Sequence, residues 1–551
     1  MSENDYANHG KTIAVVFFSI LFISIILLSS NPPVSKDALV HHLAVPKLYL
    51  QHGSIYEIPD MVFSYYPMNL DLLYLGSLYF GNDIIPKYIH FFFGLLAAWL
   101  IYAHLKRRVS SVYALGGALF FLSIPIIAKL SISAYVDLGL LCFTTASLLL
   151  LLKWGQTGGK PLPLILSAIC CGLAMGTKYN GLVGFLVLSA LVPFVSLRKQ
   201  PQKGRASGIR PLGDALLFGL IALAVFSPWM IRNYIWAHNP IYPLYDSWFN
   251  AVVAERTRQV LGVFGTRAMH YHESWFQMAL LPVRIFFQGQ DGNPQYFDGQ
   301  LNPFLLILPI AAFWGHQARK DTLKFEKNIL LAFAVLFFAF SFFSTGLRIR
   351  YILPIVSPLV ILSVYGFKKI VDRGKGAANR KTKHIILLTI LFVLFCTFYL
   401  NAGYIYQQFK IVKPFEYLSG RIIRDDYITR YRPEYPAMQY LNHHASDNAK
   451  VLFFYIGNRG YYCNRGYTFD MINYKSTLHK IVKNSATPDN VYCVLKEKGI
   501  THFLIRNDIF NRSVKEDFSD KEKRILKDFF RKYVKRLYIK NGYGVFRLAA
   551  L

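Results

Sequence analysis

Apolar residues gather along this chain into eleven runs, near 12–30, 87–105, 112–129, 136–152, 161–177, 181–197, 213–230, 302–315, 329–345, 351–367 and 384–400. Crossing ~30 Å of hydrocarbon takes about 20 apolar residues. The pattern therefore predicts a polytopic α-helical membrane protein of about eleven transmembrane helices. The first run has no small-residue cleavage site and reads as a signal anchor. Within 161–197 only Lys178, Tyr179 and Asn180 interrupt the pattern, so a tight hairpin is expected there. Three segments, 31–86, 231–301 and 401–551, are too long for plain connections. In the last, Lys450–Ile456, Thr501–Ile505 and Gly544–Leu548 read as strands. Lys521 to Arg536 reads as an amphipathic helix with Ile525, Phe529, Phe530 and Val534 on its apolar side. The expected organisation is a spanning domain over 1–400, with exterior loops 31–86 and 231–301, and a small α/β domain over 401–551.

Composition agrees. Of 551 residues, 54% are hydrophobic and 17% charged, against about 25% charged in soluble domains. A soluble globular enzyme, a disordered chain and a fibrous repeat are excluded. The net charge of +30 suggests nucleic acid until its placement is read. Lys106-Arg107-Arg108, Arg198 to Arg210 and Lys368 to Lys383 lie in alternate connections on the side of the N-terminus. The short connections opposite hold only Lys129, Lys178, Arg348 and Arg350. By the positive-inside rule the N-terminus is cytoplasmic and the tail exterior. The basic face of 521–536 is then a solvated surface or a contact with anionic headgroups. Cys142, Cys170, Cys171 and Cys396 fall inside apolar runs. Cys463 and Cys493 stand in the tail, where a disulfide and two separate thiols both remain open.

The candidate chemistry lies outside. Cytoplasmic connections carry no phosphate-cradling loop. The first exterior loop opens Asn31-Pro32-Pro33-Val34-Ser35-Lys36-Asp37, with Ser35 as expected N-cap and Leu39, Leu43, Pro46 and Leu50 as an interfacial stripe. Asp37 suits a helix start, where the dipole favours a carboxylate. His41 follows one turn later, beside His42. Such a group serves as a base assembly, a metal site or an interfacial hydrogen bond. Phe63 to Asp71, with Tyr65 and Tyr66, reads as a sugar or lipid groove or an aromatic belt. Asp137, after Ser133-Ala134-Tyr135-Val136, opens an apolar run, where an acid is costly unless it faces protein or water. Lys178 after Gly172–Gly176, and Arg348 and Arg350 beside Tyr351, are snorkelling cations or phosphate ligands. Two acids and several cations at one membrane face favour the second reading.

Taken in order, these pieces resemble the GT-C superfamily of polyprenyl-phosphate-sugar-dependent glycosyltransferases. Within it they look most like the branch of protein mannosyltransferases, aminoarabinose–lipid A transferases and RgtA/B/C/D-like proteins. The carrying motifs are Asp37-Ala38-Leu39-Val40-His41-His42-Leu43, Tyr135-Val136-Asp137-Leu138, Gly176-Thr177-Lys178-Tyr179, Ser227-Pro228-Trp229-Met230-Ile231-Arg232-Asn233-Tyr234, Asn239-Pro240-Ile241-Tyr242-Pro243 and Arg350-Tyr351-Ile352-Leu353-Pro354. The resemblance implies a catalytic acid at Asp37, a second acid at Asp137, and His41 or His42 as orienting partner. It implies phosphate-binding cations at Lys178, Arg232, Arg348 and Arg350, and a substrate groove with Tyr65, Tyr66, Tyr135, Tyr179 and Tyr351. The implied activity moves a sugar from an undecaprenyl- or dolichyl-type phosphate donor to an envelope glycan, lipid or protein, by single displacement with inversion, at the exterior face of a bacterial inner membrane. Ala38 stands where some members carry the second acid of an Asp-Glu pair, so a divalent cation stays open. The competing classes are a transporter or lipid flippase, and a scaffold whose tail binds cell-wall polymer. Against the transporter, no repeat relates the halves and the charges avoid the midplane.

Overall fold

The computed structural model describes residues 3–157, 160–198, 209–250, 262–314, 322–343, 346–472 and 475–549. Of the basic residues expected on the cytoplasmic side, Lys199, Lys203, Arg205, Arg319 and Lys320 lie outside these. Two compact units emerge. One comprises Met1–Ser30, Tyr65–Leu73 and Ile85–Pro414; the other comprises Asn31–Ser64, Tyr74–Ile84 and Phe415–Leu551.

In the first unit, eight helices among the described residues are long and apolar enough to cross a membrane: His9–Ser29, Ile85–Lys106, Asp137–Gln156, Asn180–Leu197, Arg210–Ala237, Leu323–Phe342, Ile349–Gly376 and Arg380–Val412. The run predicted at 112–129 is not straight. Ser111–Ser123 and Pro125–Ser131 meet at 66°, because Ile124, before a proline, takes an extended ψ of 131° and breaks the helix. Two shorter apolar helices, Leu162–Thr177 and Phe304–Phe313, take the remaining runs. Lys178 is extended (φ −162°, ψ 144°) and turns the chain directly into Asn180–Leu197, the hairpin expected there. The last span runs past the predicted residue 400 to Val412. Its Asn401 is satisfied inside the bundle, accepting from Asn302 Nδ2 at 2.8 Å and donating to Ser123 Oγ at 2.8 Å. Small residues set helix approach: a Cβ at Gly172 would stand 2.6 Å from the Ala222 carbonyl oxygen.

The second unit is built on a five-stranded sheet. Its strands are β1 (Lys450–Phe454), β2 (Gly466–Phe469), β5 (His502–Arg506), β6 (Val534–Lys540) and β7 (Tyr543–Leu548); β3 (Met471–Ile472) and β4 (Lys475–Ser476) form a separate small ladder. The order is β2-β1-β5-β7-β6, with β2, β1 and β5 parallel and β7 and β6 antiparallel. The amphipathic helix is Asp520–Tyr533, opened by a capping box between Ser519 and Glu522. Ile525, Leu526 and Phe529 bury against β1 and β5 in one core with Phe454 and Phe503. Its apolar side is thus consumed by the domain core, which favours the solvated reading of its charged face. Val534 is not on that helix; it begins β6, paired with Leu548.

Cys463 and Cys493 do not bond; all six cysteines are free. Cys463 is buried, Cys493 exposed, and burial pushes the Cys463 thiol up to about 11. Thiol labelling of the unfolded, unreduced protein is expected to count six reactive cysteines; a count of four would reinstate the disulfide.

Candidate active site

Asp137 is the first residue of its helix and is fully buried. Its Oδ1 accepts from Lys178 Nζ at 2.6 Å, while Oδ2 is buried and makes no hydrogen bond among the described residues. Lys178 reaches it because the break at 178–180 leaves the lysine at the end of one short helix and the start of the next. His90 shapes the same turn: Nε2 accepts from Leu138 N at 2.9 Å, and Nδ1 faces the carbonyl oxygens of Leu130 and Ser133 at 2.9 and 2.8 Å. Two acceptors opposite Nδ1 fix the proton there.

Three cations surround one ring. Lys178 Nζ, Arg350 Cζ and Arg348 Cζ lie 5.5, 5.3 and 6.0 Å from the Tyr351 centroid, and Arg350 also stands 5.7 Å from Tyr135. Asn180 Nδ2 holds the Tyr351 carbonyl at 3.3 Å. Arg348 Nη1 meets Asp298 Oδ2 at 3.3 Å, and Lys129 Nζ meets Asp291 at 3.1 Å and Asp298 at 3.7 Å. Lys129, Lys178, Arg348 and Arg350 thus stand close to Asp137, Asp291 and Asp298.

Arg232 belongs to a neighbouring aromatic wall rather than to this ring of cations. Its Nη2 donates to the carbonyls of Tyr65 (2.6 Å) and Tyr66 (3.1 Å), and its guanidinium sits 4.6 Å from Trp229 and 4.9 Å from Trp236. Asn233, fully buried, donates to Tyr65 O at 2.8 Å and Tyr179 Oη at 2.9 Å. Tyr179 in turn donates to Tyr242 O at 2.7 Å, and Tyr66 meets its ring edge-on at 5.2 Å. Burial raises the Tyr66 phenol above its ordinary range, with Tyr351 adding to the effect. The predicted tyrosines therefore fall into two connected sets, Tyr65, Tyr66 and Tyr179 with Arg232, and Tyr135 and Tyr351 with Lys178, Arg348 and Arg350.

Asp37, His41 and His42 are in the second unit. Asp37 (φ −71°, ψ −28°) heads a π-turn over Ala38–His42 and makes no side-chain capping bond. The expected N-cap, Ser35, fails too: its hydroxyl is buried without a hydrogen bond among the described residues, because the helical turn already begins at its carbonyl, which accepts from Leu39 N at 3.2 Å. His41 and His42 are both buried, their rings 3.9 Å apart, and His41 stacks on Phe63 at 4.5 Å and 14°.

Sequence reasoning gave no site role to six residues: His90, Asn69, Asn233, Lys129, Asp291 and Asp298. Asn69 accepts from Trp229 Nε1 at 2.8 Å and donates to Leu173 O at 3.2 Å. Asn233 carried a signal, since an amide ending a long apolar run is costly unless satisfied. Among the described residues no three His, Cys, Asp or Glu side chains group as metal ligands.

The fold these units define is that of the GT-C glycosyltransferases, an integral-membrane class. A family model described as dolichyl-phosphate-mannose-protein mannosyltransferase matches residues 38–239, a stretch containing His41, Asp137, Lys178 and Arg232. The crystal structure of ArnT from Cupriavidus metallidurans in the apo state superposes with a TM-score of 0.59 at 13% identity, covering 98% of this chain and 99% of that one. The same protein bound to undecaprenyl phosphate gives 0.57 at 14%, with the same coverage. The oligosaccharyltransferase of Archaeoglobus fulgidus in the apo form gives 0.51 at 11%, covering 94% of this chain and 73% of that one. At these identities the likeness is one of fold. No curated protein matches the chain by sequence.

Proposed function

We propose that the chain moves a sugar from a polyprenyl-phosphate donor to an acceptor at the exterior face of a bacterial inner membrane, with its N-terminus cytoplasmic. The observation that carries this reading is the convergence of Lys178, Arg348 and Arg350 on Tyr351. Fixed positive charges gathered around one ring suit a phosphodiester headgroup, and they suit the leaving phosphate better still. As the bond from the anomeric carbon to the phosphate oxygen breaks, that oxygen keeps the electron pair, and charge grows where the cations already stand. The acceptor hydroxyl attacks the anomeric carbon from the opposite side, so the configuration inverts, and its proton passes to a base, Asp37. A phosphate leaving group needs no proton, so a second carboxylic acid is unnecessary. Asp137 then works through Lys178, holding the ammonium in place. Arg232 holds the aromatic wall of the groove through the Tyr65 and Tyr66 carbonyls. The relative bound to undecaprenyl phosphate and the mannose-lipid family match support the donor class.

Mass spectrometry of envelope glycans, lipids and proteins from cells with and without the chain tests the reading. Loss of one sugar from one component is expected. Unchanged envelopes, together with no binding of undecaprenyl phosphate to the purified chain, would overturn it.

A further inference from the structure

The second unit contains both the Asp37 segment and the sheet domain, and one turn of the tail holds that segment at several places. Tyr461 N donates to Leu39 O at 3.2 Å. Tyr462 Oη donates to Pro33 O at 2.8 Å. Lys47 Nζ donates to Tyr461 O at 2.6 Å, Cys463 O at 3.1 Å and Asn464 Oδ1 at 2.7 Å. An ammonium has three donors, and here all three are used. Tyr461 Oη then donates to Asp83 at 3.2 Å, and Asp83 is also paired with Arg424 at 2.5 Å. The bonds at Pro33 and Leu39 fall on either side of Asp37, and His41 and His42 follow before Lys47.

The turn is itself rigidly mounted. Asn442, on the helix Tyr435–His444, donates to Tyr462 O at 2.9 Å and accepts from Asn464 N at 2.7 Å. Arg465 donates to Asn442 O at 2.7 Å and Ala445 O at 3.0 Å. At Gly460 any Cβ would collide with the Tyr467 ring, so the turn needs a glycine to begin. Burial pulls the Lys47 ammonium down to about 8, against Cys463 and Asp83, which pull it up.

We infer that the tail turn Tyr461–Asn464 is a clamp for the segment bearing Asp37, and that Lys47 and Tyr462 are positioning residues for transfer. This rests on the transferase reading above. It gives the sheet domain a task in the reaction: it fixes the backbone on both sides of the proposed base. Loss of such a constraint lets a reacting group drift, and a misplacement near 1 Å costs on the order of 10²-fold in rate.

The test uses the full chain in membranes, with polyprenyl-phosphate mannose as donor and released polyprenyl phosphate as readout, alongside hydrogen exchange over residues 33–47. Lys47→Met keeps the length of the stem and removes every donor. It is expected to lower kcat about 10²-fold, leave the donor KM within about twofold, and speed exchange across 33–47. Lys47→Arg should restore most of kcat, and Tyr462→Phe should give a smaller loss of the same kind. Retained kcat in Lys47→Met overturns the assignment. So does a kcat loss matched by a raised donor KM or by less folded chain in the membrane, as for a merely structural lysine. If the unsubstituted chain releases no polyprenyl phosphate and the purified chain binds no undecaprenyl phosphate, the transferase reading is what falls, and the clamp's role in transfer falls with it.

Discussion

Asp37→Asn is expected to abolish transfer, by ~10²-fold or more, while the chain reaches the membrane in normal amount and unfolds at an unchanged temperature. The two halves of this result separate two roles for the residue. As helix-start chemistry, Asp37 would be replaced at small cost, since Asn ranks with Asp at N-terminal positions and the dipole contribution of one half-buried carboxylate is at most about 2 kcal/mol. The structure already weakens that role, because the Asp37 side chain makes no capping bond. As a base, Asp37 has no substitute in Asn, whose amide oxygen does not take a proton at neutral pH. The decisive measurement is single-turnover transfer by the variant at wild-type expression. Full activity would leave Asp37 with only its helix-dipole contribution and require another base, for which His41 and His42, buried in the same turn, are candidates.

The spans were legible because a bilayer imposes one rule on every residue within it: backbone groups satisfied locally, side chains apolar, length near 20. The same rule hid the departures. Ile124-Pro125 looks like the middle of one apolar run, yet proline's preference acts on the residue before it and turns the helix through 66°. Asn401 looks like an end, yet Ser123 and Asn302 satisfy it and the helix continues. In the tail, β1, β5 and β7 were readable as apolar strands, while β6, with four exposed positions of seven, was not. Val534 therefore read as the next turn of the helix before it. At the site, Asp137 was recognisable as a charge too costly to be idle, while Lys178 read equally as a snorkelling cation. Their direct pairing across 41 positions leaves no mark in either local pattern. The same holds for Lys47, whose three acceptors all lie more than 400 positions away.

That pairing sets up the second large effect. Lys178→Gln removes the counter-charge of a carboxylate that is wholly buried, and breaking a buried pair from one side costs about 3–5 kcal/mol. The single variant is therefore expected to unfold at markedly lower temperature in detergent and to lose binding of undecaprenyl phosphate, because the phosphate has lost a charge-assisted donor. Lys178→Arg should recover part of both, its planar fork fitting the carboxylate but not placing the charge as an ammonium does. The double variant Asp137→Asn, Lys178→Gln buries no unmatched charge and should regain most of the lost stability. It should not regain lipid binding or transfer, since the two amides it introduces would offer a phosphate no positive charge. Thermal unfolding and undecaprenyl phosphate titration of the unsubstituted chain, both single variants and the double variant make a double-mutant cycle in which stability and binding are predicted to part. If the double variant recovers lipid binding along with stability, Lys178 serves only to neutralise Asp137. The headgroup would then have to be held by Arg348 and Arg350 alone, the two other cations that share the Tyr351 ring.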